Sequence, residues 1–113
     1  MSIELTLAIG FSAAVILWMG IPLLRRRVGP NSLYGFRVPA TLRDEGLWYD
    51  VNAKVGLDCV GMGLGLFILL GVGLAGVTDE RTIGLACAAW FLLGCCWSAA
   101  HGFYIVRTRR KHG

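Results

Sequence analysis

Charged side chains are scarce in this chain. Asp, Glu, Lys and Arg together make up 16% of its 113 residues, whereas apolar residues make up 56%. A soluble domain carries roughly a quarter charged residues, because its surface must face water. The deficit therefore excludes an ordinary soluble domain, and the length leaves room for one domain, residues 1–113.

The missing charge is concentrated in three apolar runs. Residues 5–24 and 83–106 carry no Asp, Glu, Lys or Arg, and Asp58 is the only such residue in 55–77. About 20 helical residues cross a hydrocarbon core of about 30 Å, and backbone polar groups in lipid must bond within their own segment. None of the runs alternates apolar with polar residues, which disfavours strands. The sequence therefore predicts an all-α fold, a three-transmembrane-helix bundle with spans of about 4–24, 55–77 and 83–106.

Positive charge is absent ahead of the first run and abundant after it. A secretory signal needs a positive n-region and a small-residue cleavage site, so we expect an uncleaved anchor. Of the 11 Lys and Arg residues, six lie between the first two runs and four follow the third, whereas Arg81 alone lies between the second and third. The positive-inside rule then predicts an N-terminus outside and a C-terminus in the cytoplasm. This topology explains the net charge of +4 without nucleic-acid binding, and the expected partner is the lipid bilayer.

Metal and catalytic motifs are also lacking. The four cysteines all lie inside the predicted spans, and adjacent Cys95 and Cys96 point about 100° apart on a helix. They are therefore interpreted as small packing residues rather than zinc ligands. The sequence contains no H-E-x-x-H pattern, no phosphate-binding loop and no set of Ser, His and Asp that suggests a triad. Residues 71–76 match G-x-G-x-x-G, but they end an apolar run and do not join a strand to a helix, which a dinucleotide-binding fingerprint requires. We expect no enzyme activity, no metal and no cofactor.

Small residues recur at a spacing of four in the last two spans. They are Gly61 and Gly65 in the second span, and Gly94, Ser98 and Gly102 in the third. Such spacing allows two helix backbones to approach closely. Two interpretations remain: packing between the second and third spans of one chain, which we favour, and a seam between copies in a homo-oligomer.

Two ionisable residues, Asp58 and His101, lie inside predicted spans. Each is about one turn from the cytoplasmic end of its span, so the two side chains could meet. A carboxylate at the bilayer centre costs about 2.5–3.5 kcal/mol, and such a group usually has a partner. For Asp58 the candidates include Arg37 and Lys54. The alternatives are a partnered interfacial carboxylate and a proton or cation site, with His101 as a possible switch.

The long loop, residues 25–54, contains more sequence features than a linker needs. Thr41 followed by Asp44 resembles a capping box, and it predicts a helix that begins near Thr41 and continues into the second span. Its apolar stripe includes Trp48 and fits a cytoplasmic interfacial helix that precedes the span.

One side of this helix carries Thr41, Glu45, Trp48 and Asn52. That side is either a binding surface or the ordinary polar decoration of an anchoring helix. Among the nearby acids, Glu45 is the best partner for the planar guanidinium of Arg37. We therefore predict an Arg37–Glu45 pair.

Residues 30–42 read Pro-Asn-Ser-Leu-Tyr-Gly-Phe-Arg-Val-Pro-Ala-Thr-Leu, and acidic, Trp and Asn residues follow them. This pattern resembles the signature of the SdpI-type immunity proteins. Members carry an Asn, an aromatic-Gly-aromatic-Arg-Thr run, a Ser or Thr, an acidic residue, a Trp and an Asn just before a transmembrane helix. Val38 replaces the usual Thr here. The resemblance assigns binding to the signature residues Asn31, Tyr34, Gly35, Phe36, Arg37, Pro39, Thr41, Glu45, Trp48 and Asn52.

This resemblance implies a multi-pass, non-catalytic protein of the bacterial cytoplasmic (inner) membrane. The family's namesake protects its producer against a secreted peptide toxin and holds a transcriptional repressor at the membrane. The implied partner is therefore a peptide toxin or a small repressor protein. The alternative function is a small proton-coupled transporter that acts as an oligomer, with Asp58 as its coupling residue.

Overall fold

The computed structural model describes residues 1–112, with side chains through Arg109. This part of the chain contains four α-helices and no strand: α1 (Ile3–Leu24), α2 (Pro39–Arg43), α3 (Glu45–Leu74) and α4 (Glu80–His112). The helices α1, α3 and α4 are each long and apolar enough to cross a membrane. The predicted all-α architecture with three spans is therefore confirmed, while its orientation and the interfacial placement of the loop helix stay predictions.

Short polar residues begin the long helices. The Ser2 hydroxyl accepts a hydrogen bond from the Leu5 N–H at the start of α1. The carboxylate of Asp79 accepts one from the Thr82 N–H over 3.1 Å, beside the start of α4. Hydrogen bonding from the side chain of Thr82, together with this backbone bond, holds the pKa of Asp79 below its usual value. Such caps satisfy N–H groups that have no partner within the helix.

The helix α3 lies in the middle of the bundle and packs against both α1 and α4. A cluster of buried apolar residues joins the three helices: Ile9 and Ala13 from α1, Leu66 from α3, and Ile83 and Cys87 from α4. Beyond this cluster, large apolar side chains cover the outward faces of the long helices. Water would penalise such a surface, whereas the hydrocarbon core of a bilayer accepts it.

Two glycines bring α1 and α3 together. A Cβ atom added to Gly20 would lie 2.7 Å from the Cβ of Cys59, and one added to Gly56 would lie 2.7 Å from the Gly20 carbonyl oxygen. Both distances are shorter than any ordinary carbon contact, so only glycine fits at these positions. Small residues at such seams are typical of membrane helix pairs, whose association depends on close packing.

One carboxylate connects the three long helices at the end of the bundle where α1 and α4 finish and α3 begins, which we call the loop end. Oδ1 of Asp50, on α3, accepts a hydrogen bond of 2.9 Å from Nη1 of Arg26, which follows α1. Oδ2 of Asp50 accepts from Nη2 of Arg109, near the end of α4. At the opposite end, the Ser2 N–H donates to Oε1 of Glu80 over 2.8 Å.

Candidate functional site

The loop before α3 contains a helix of its own, so the predicted continuous helix from Thr41 is wrong. The helix α2 begins at Pro39, whose fixed φ suits a first helical position. Asp44 has extended backbone angles and ends α2. Its side chain accepts from the Leu47 N–H over 3.1 Å and caps α3. Asp44 therefore starts a new helix instead of completing a capping box with Thr41.

The hydroxyl of Thr41 fastens the turn that precedes α2. It accepts a hydrogen bond of 3.0 Å from the Val38 N–H and lies 2.9 Å from the Phe36 carbonyl oxygen, to which it can donate. Thr41 is fully buried. A hydroxyl contact to this turn is thus supplied by Thr41 from within α2, although position 38 carries a valine.

Asn52 holds the backbone of Phe36 from the side of α3. Its Oδ1 accepts a 2.6 Å hydrogen bond from the Phe36 N–H, and its Nδ2 donates to the Trp48 carbonyl over 3.0 Å. Asn52 is 1% exposed. A buried carboxamide that bonds a loop backbone satisfies groups which would otherwise lack partners away from water.

Gly35 lets the loop cross directly over α3. It adopts φ +115°, a conformation that L side chains rarely take. A Cβ atom here would lie 2.8 Å from Oδ1 of Asn52 and 3.0 Å from the Trp48 ring. The indole N–H of Trp48, itself fully buried, donates to the Val28 carbonyl over 2.7 Å. Trp48 therefore ties the start of the loop to α3 while its ring supports the Gly35 crossing.

Asn31 shapes the turn that opens the signature run. Its Oδ1 accepts from the N–H groups of Leu33 and Tyr34 over 2.8 and 2.9 Å, and its Nδ2 donates to the Gly29 carbonyl. This is the backbone-mimicking role in which Asn favours turns. The Asn31 carbonyl in turn accepts from Nε of Arg37 over 2.8 Å.

The predicted Arg37–Glu45 pair is wrong. Among the described side chains, Arg37 forms no ion pair, and its hydrogen bond goes to the backbone of Asn31. Both Arg37 and Glu45 are exposed. The break at Asp44 separates Glu45, the first residue of α3, from Thr41 on α2, and the Arg37 side chain turns to the Asn31 carbonyl instead.

The aromatic ring of Phe36 fastens the loop to α4. It meets the ring of Phe103 edge-on, with centroids 5.0 Å apart and an interplanar angle of 78°. A Cβ atom added to Gly102 would overlap the Phe36 ring, at 2.5 Å from its nearest carbon. The Phe36 side chain also packs against a second buried cluster, which consists of Leu47 and Val51 of α3 and Val106 of α4. The apolar stripe in the first turns of α3 therefore packs against other parts of the protein.

The signature residues divide into an inner and an outer set. The inner set makes the contacts above, and we call it the clasp: Asn31, Gly35, Phe36, Thr41, Trp48 and Asn52. The outer set comprises half-buried Tyr34 and exposed Arg37, Pro39 and Glu45. Leu33, between Asn31 and Tyr34, is 86% exposed. We call Leu33, Tyr34 and Arg37 the loop face; the binding role of all these residues stays a prediction.

Asp58 and His101 meet, as their depths in the sequence suggested. Nδ1 of His101 lies 3.1 Å from Oδ2 of Asp58, and the side chains are 28% and 13% exposed respectively. Arg37 and Lys54, the other candidates, do not bond Asp58 among the described side chains. The contact joins α3 to α4 within their apolar segments.

A groove of about 380 Å³ runs between α3 and α4 beside this pair. Asp58 lies in its wall together with Gly61, Trp90, Leu93 and Trp97. The indole N–H of Trp90 donates to the Met62 carbonyl over 3.0 Å, which fixes that ring. In residues 1–109, no three His, Cys, Asp or Glu side chains lie close enough together to hold a metal ion.

The small residues serve packing within one chain at most of their predicted positions. An added Cβ at Gly65 would overlap the Trp90 indole, and one at Gly94 would lie 2.9 Å from the Met62 side chain. Ser98 is buried. Gly61 differs, since a Cβ there would have nothing within 4 Å. Gly65 and Gly94 thus lie where the second span approaches the third within one chain, while the role of the small residues and a homo-oligomer stay predictions.

Sequence reasoning missed two features of the site. Asp50 appeared only as one of several acids, although it bonds Arg26 and Arg109. The Gly20–Gly56 approach was missed because the two glycines lie on different spans. Its only sequence signal is a lone glycine near the end of the first apolar run, opposite a glycine near the start of the second.

The chain also matches a known protein family. The model of the SdpI/YfhL protein family matches residues 27–106, which include the clasp, all of α3 and most of α4. The chain belongs to the SdpI/YfhL family. Neither the curated proteins nor the solved structures gave a match to the chain. With three apolar helices and this membership, the chain is a small multi-pass membrane protein of the SdpI type.

Proposed function

We propose that this SdpI-type chain is a non-catalytic immunity protein of a bacterial cytoplasmic membrane, with its N-terminus outside and its loop end in the cytoplasm. It binds a peptide toxin that has entered or crossed the membrane, or a small regulatory protein of the cytoplasm, through the loop face. The family membership supports the immunity type. The distribution of Lys and Arg supports the orientation, since ten of the 11 lie at the loop end.

The observation that carries the proposal is the division of the signature residues. The clasp uses its polar side chains to bond the loop backbone, so the loop is held on α3 and α4. Outside the clasp, the loop face presents an exposed leucine and an arginine beside a tyrosine, while Pro39 and Glu45 lie at the starts of α2 and α3. Binding residues are commonly placed on loops that a rigid scaffold positions, and Arg and Tyr are enriched in protein interfaces.

The test is protection of living cells. A strain of the encoding bacterium that lacks the gene is grown in medium conditioned by its parent and complemented with single variants. We expect the deleted strain to stop growing and the wild-type chain to restore growth. Leu33→Ser and Arg37→Ala should restore it poorly, and Arg43→Ala, which removes an exposed arginine of α2, should restore it fully. Unimpaired growth of the deleted strain would refute the immunity role.

Orientation has a separate test. A reporter that is active only in the cytoplasm is fused to the C-terminus. A protease-cleavable tag is placed at the N-terminus, and protease is added outside the cells. The proposal expects an active reporter and a cleavable tag. Both ends on one side would contradict it, whatever the outcome of the protection assay.

A second candidate function is favoured by the contact between Asp58 and His101. An intramembrane carboxylate that meets an imidazole is a typical element of a proton relay. A small proton-coupled transporter that acts as an oligomer would use Asp58 as its coupling residue. In that case Asp58→Asn abolishes proton-driven uptake into vesicles while the protein still inserts and unfolds at the same temperature.

A further inference from the structure

The groove between α3 and α4 has the size of a small-molecule site. Its volume of about 380 Å³ lies within the range of about 300–1,000 Å³ that is usual for ligand pockets. It lies on the outward surface of the bundle, where neighbouring Leu57 and Leu93 are exposed. A ligand that dissolves in the bilayer can therefore enter it sideways.

The groove contains a carboxylate with spare bonding capacity. His101 approaches Oδ2 of Asp58, and among the described residues no donor bonds Oδ1. No Lys or Arg pairs with this carboxylate in the same part of the chain. A carboxylate in apolar surroundings is penalised by a bilayer unless a positive charge lies beside it. A cation on the ligand would offset that penalty.

Aromatic surface lines the same groove. Trp97 is 64% exposed, and its ring centroid lies 5.7 Å from that of His101, the partner of Asp58. Trp90 lines the groove on the next turns of α4 toward its start and is held by its bond to Met62. Tryptophan faces attract organic cations, most strongly where water is excluded.

Gly61 leaves the space that a bulky ligand needs. Gly61 lines the groove one turn from Asp58, and a Cβ atom added at this position would meet nothing within 4 Å. A metal ion fits this arrangement poorly, because hard cations need several oxygen ligands and only one carboxylate lies here. The donor set suits a large, weakly hydrated cation instead.

We propose that the α3–α4 groove binds a monovalent lipophilic organic cation, with Asp58 as its counter-charge, Trp97 and Trp90 as its aromatic wall, and Gly61 as the opening that admits its bulk. His101 positions the Asp58 carboxylate. This site lies apart from the loop face, so it stands or falls independently of the immunity function. It also requires no transport.

The probe is tetraphenylphosphonium, with tetraphenylborate as an anion of the same shape. Binding of each ion to the purified, detergent-solubilised chain is measured by equilibrium dialysis against matched empty micelles. The cation should bind saturably and the anion should not. Asp58→Asn should weaken cation binding at least about tenfold, since it leaves the bound charge unpaired in a dry site. Asp79→Asn, which removes a carboxylate from the α3–α4 turn, should change nothing.

Two further pairs of variants separate the site from general effects. Gly61→Leu should fill the groove and abolish binding with no charge altered, whereas Gly71→Leu, at another open position on α3, should not. Trp97→Leu should weaken binding roughly 2- to 30-fold, the range of a cation–aromatic contact, whereas Trp18→Leu on the outer face of α1 should not.

Each outcome decides the proposal. Equal binding of cation and anion, or unchanged cation binding in Gly61→Leu, would overturn it. If Asp58→Asn fails to fold, the comparison of Gly61→Leu with Gly71→Leu decides the proposal alone, because both leucines enter open space. Absence of saturable cation binding to the wild-type chain would mean that Asp58 and His101 form a closed pair, and the groove would then be a lipid-filled surface.

Discussion

The Phe36 N–H donates a 2.6 Å hydrogen bond to Oδ1 of Asn52, sixteen residues away on α3. This bond joins the middle of the signature run to the start of the second span. Around it, Thr41 holds the Phe36 carbonyl and Phe103 holds the Phe36 ring. One loop residue is thus fixed through its N–H, its C=O and its side chain by three different elements.

Asn52→Ala should release this residue. The variant leaves the Phe36 N–H without its partner in a half-buried place, so the free energy of unfolding should fall by about 1–3 kcal/mol. Denaturant unfolding in detergent measures the loss, and hydrogen exchange of the Phe36 amide should become markedly faster. Lys54→Ala, two residues further along α3 and exposed, should alter neither quantity. An unchanged exchange rate in Asn52→Ala would show that the bond does not hold the loop.

Gly35→Ala should be damaging for two reasons. The backbone at φ +115° disfavours any Cβ atom, and that atom would press on Asn52 and Trp48. We expect a loss of about 1–3 kcal/mol in the free energy of unfolding, comparable to overpacking in a core. Gly71→Ala is the control, because its helical position is open and alanine should stabilise the helix by up to about 1 kcal/mol. Equal stability of the two variants would count against the crossing over α3.

Arg37→Lys should leave stability within about 0.5 kcal/mol of wild type, since the side chain is exposed and bonds only a backbone carbonyl. The same denaturant unfolding in detergent measures it. Any loss of protection in this variant then reports a contact of the guanidinium with the partner. A large loss of stability would instead indicate a buried ion pair for Arg37.

Asp50→Asn should loosen the loop end, because it breaks the links to Arg26 and Arg109. Both pairs are partly exposed, so the loss should stay below about 1 kcal/mol per pair and should disappear at high salt. Melting temperature at low and at high ionic strength measures this dependence. Asp44→Asn is the matched control, because asparagine also caps a helix well. A salt-independent effect of Asp50→Asn would argue against the three-helix link.

The sequence predicted the parts of the fold that the membrane dictates. A bilayer requires long uncharged helices, so composition alone located α1, α3 and α4. Depth within those helices also suggested that Asp58 and His101 could meet, and they do. Equal depth on neighbouring antiparallel helices is a geometric constraint that one sequence can reveal.

The interior of the loop could not be predicted in the same way. Helical spacing placed Thr41 on one side of a helix with Glu45, Trp48 and Asn52, but that prediction assumed an unbroken helix from residue 41. Asp44 breaks it, because its extended backbone and its bond to Leu47 end one helix and start the next. The role of Gly35 likewise depends on a crossing over α3, which is tertiary structure and leaves no periodic signal.

Photo-crosslinking in living cells detects the proposed contact between the loop face and its partner. A photoreactive amino acid replaces Leu33, which is 86% exposed, and in a control chain it replaces Trp18 on the outer face of α1. Cells grown in parent-conditioned medium are irradiated, and the adducts are sequenced by mass spectrometry. We expect one peptide adduct from position 33 that requires the conditioned medium and is absent from position 18. No adduct from position 33, or the same adduct from both positions, would contradict it.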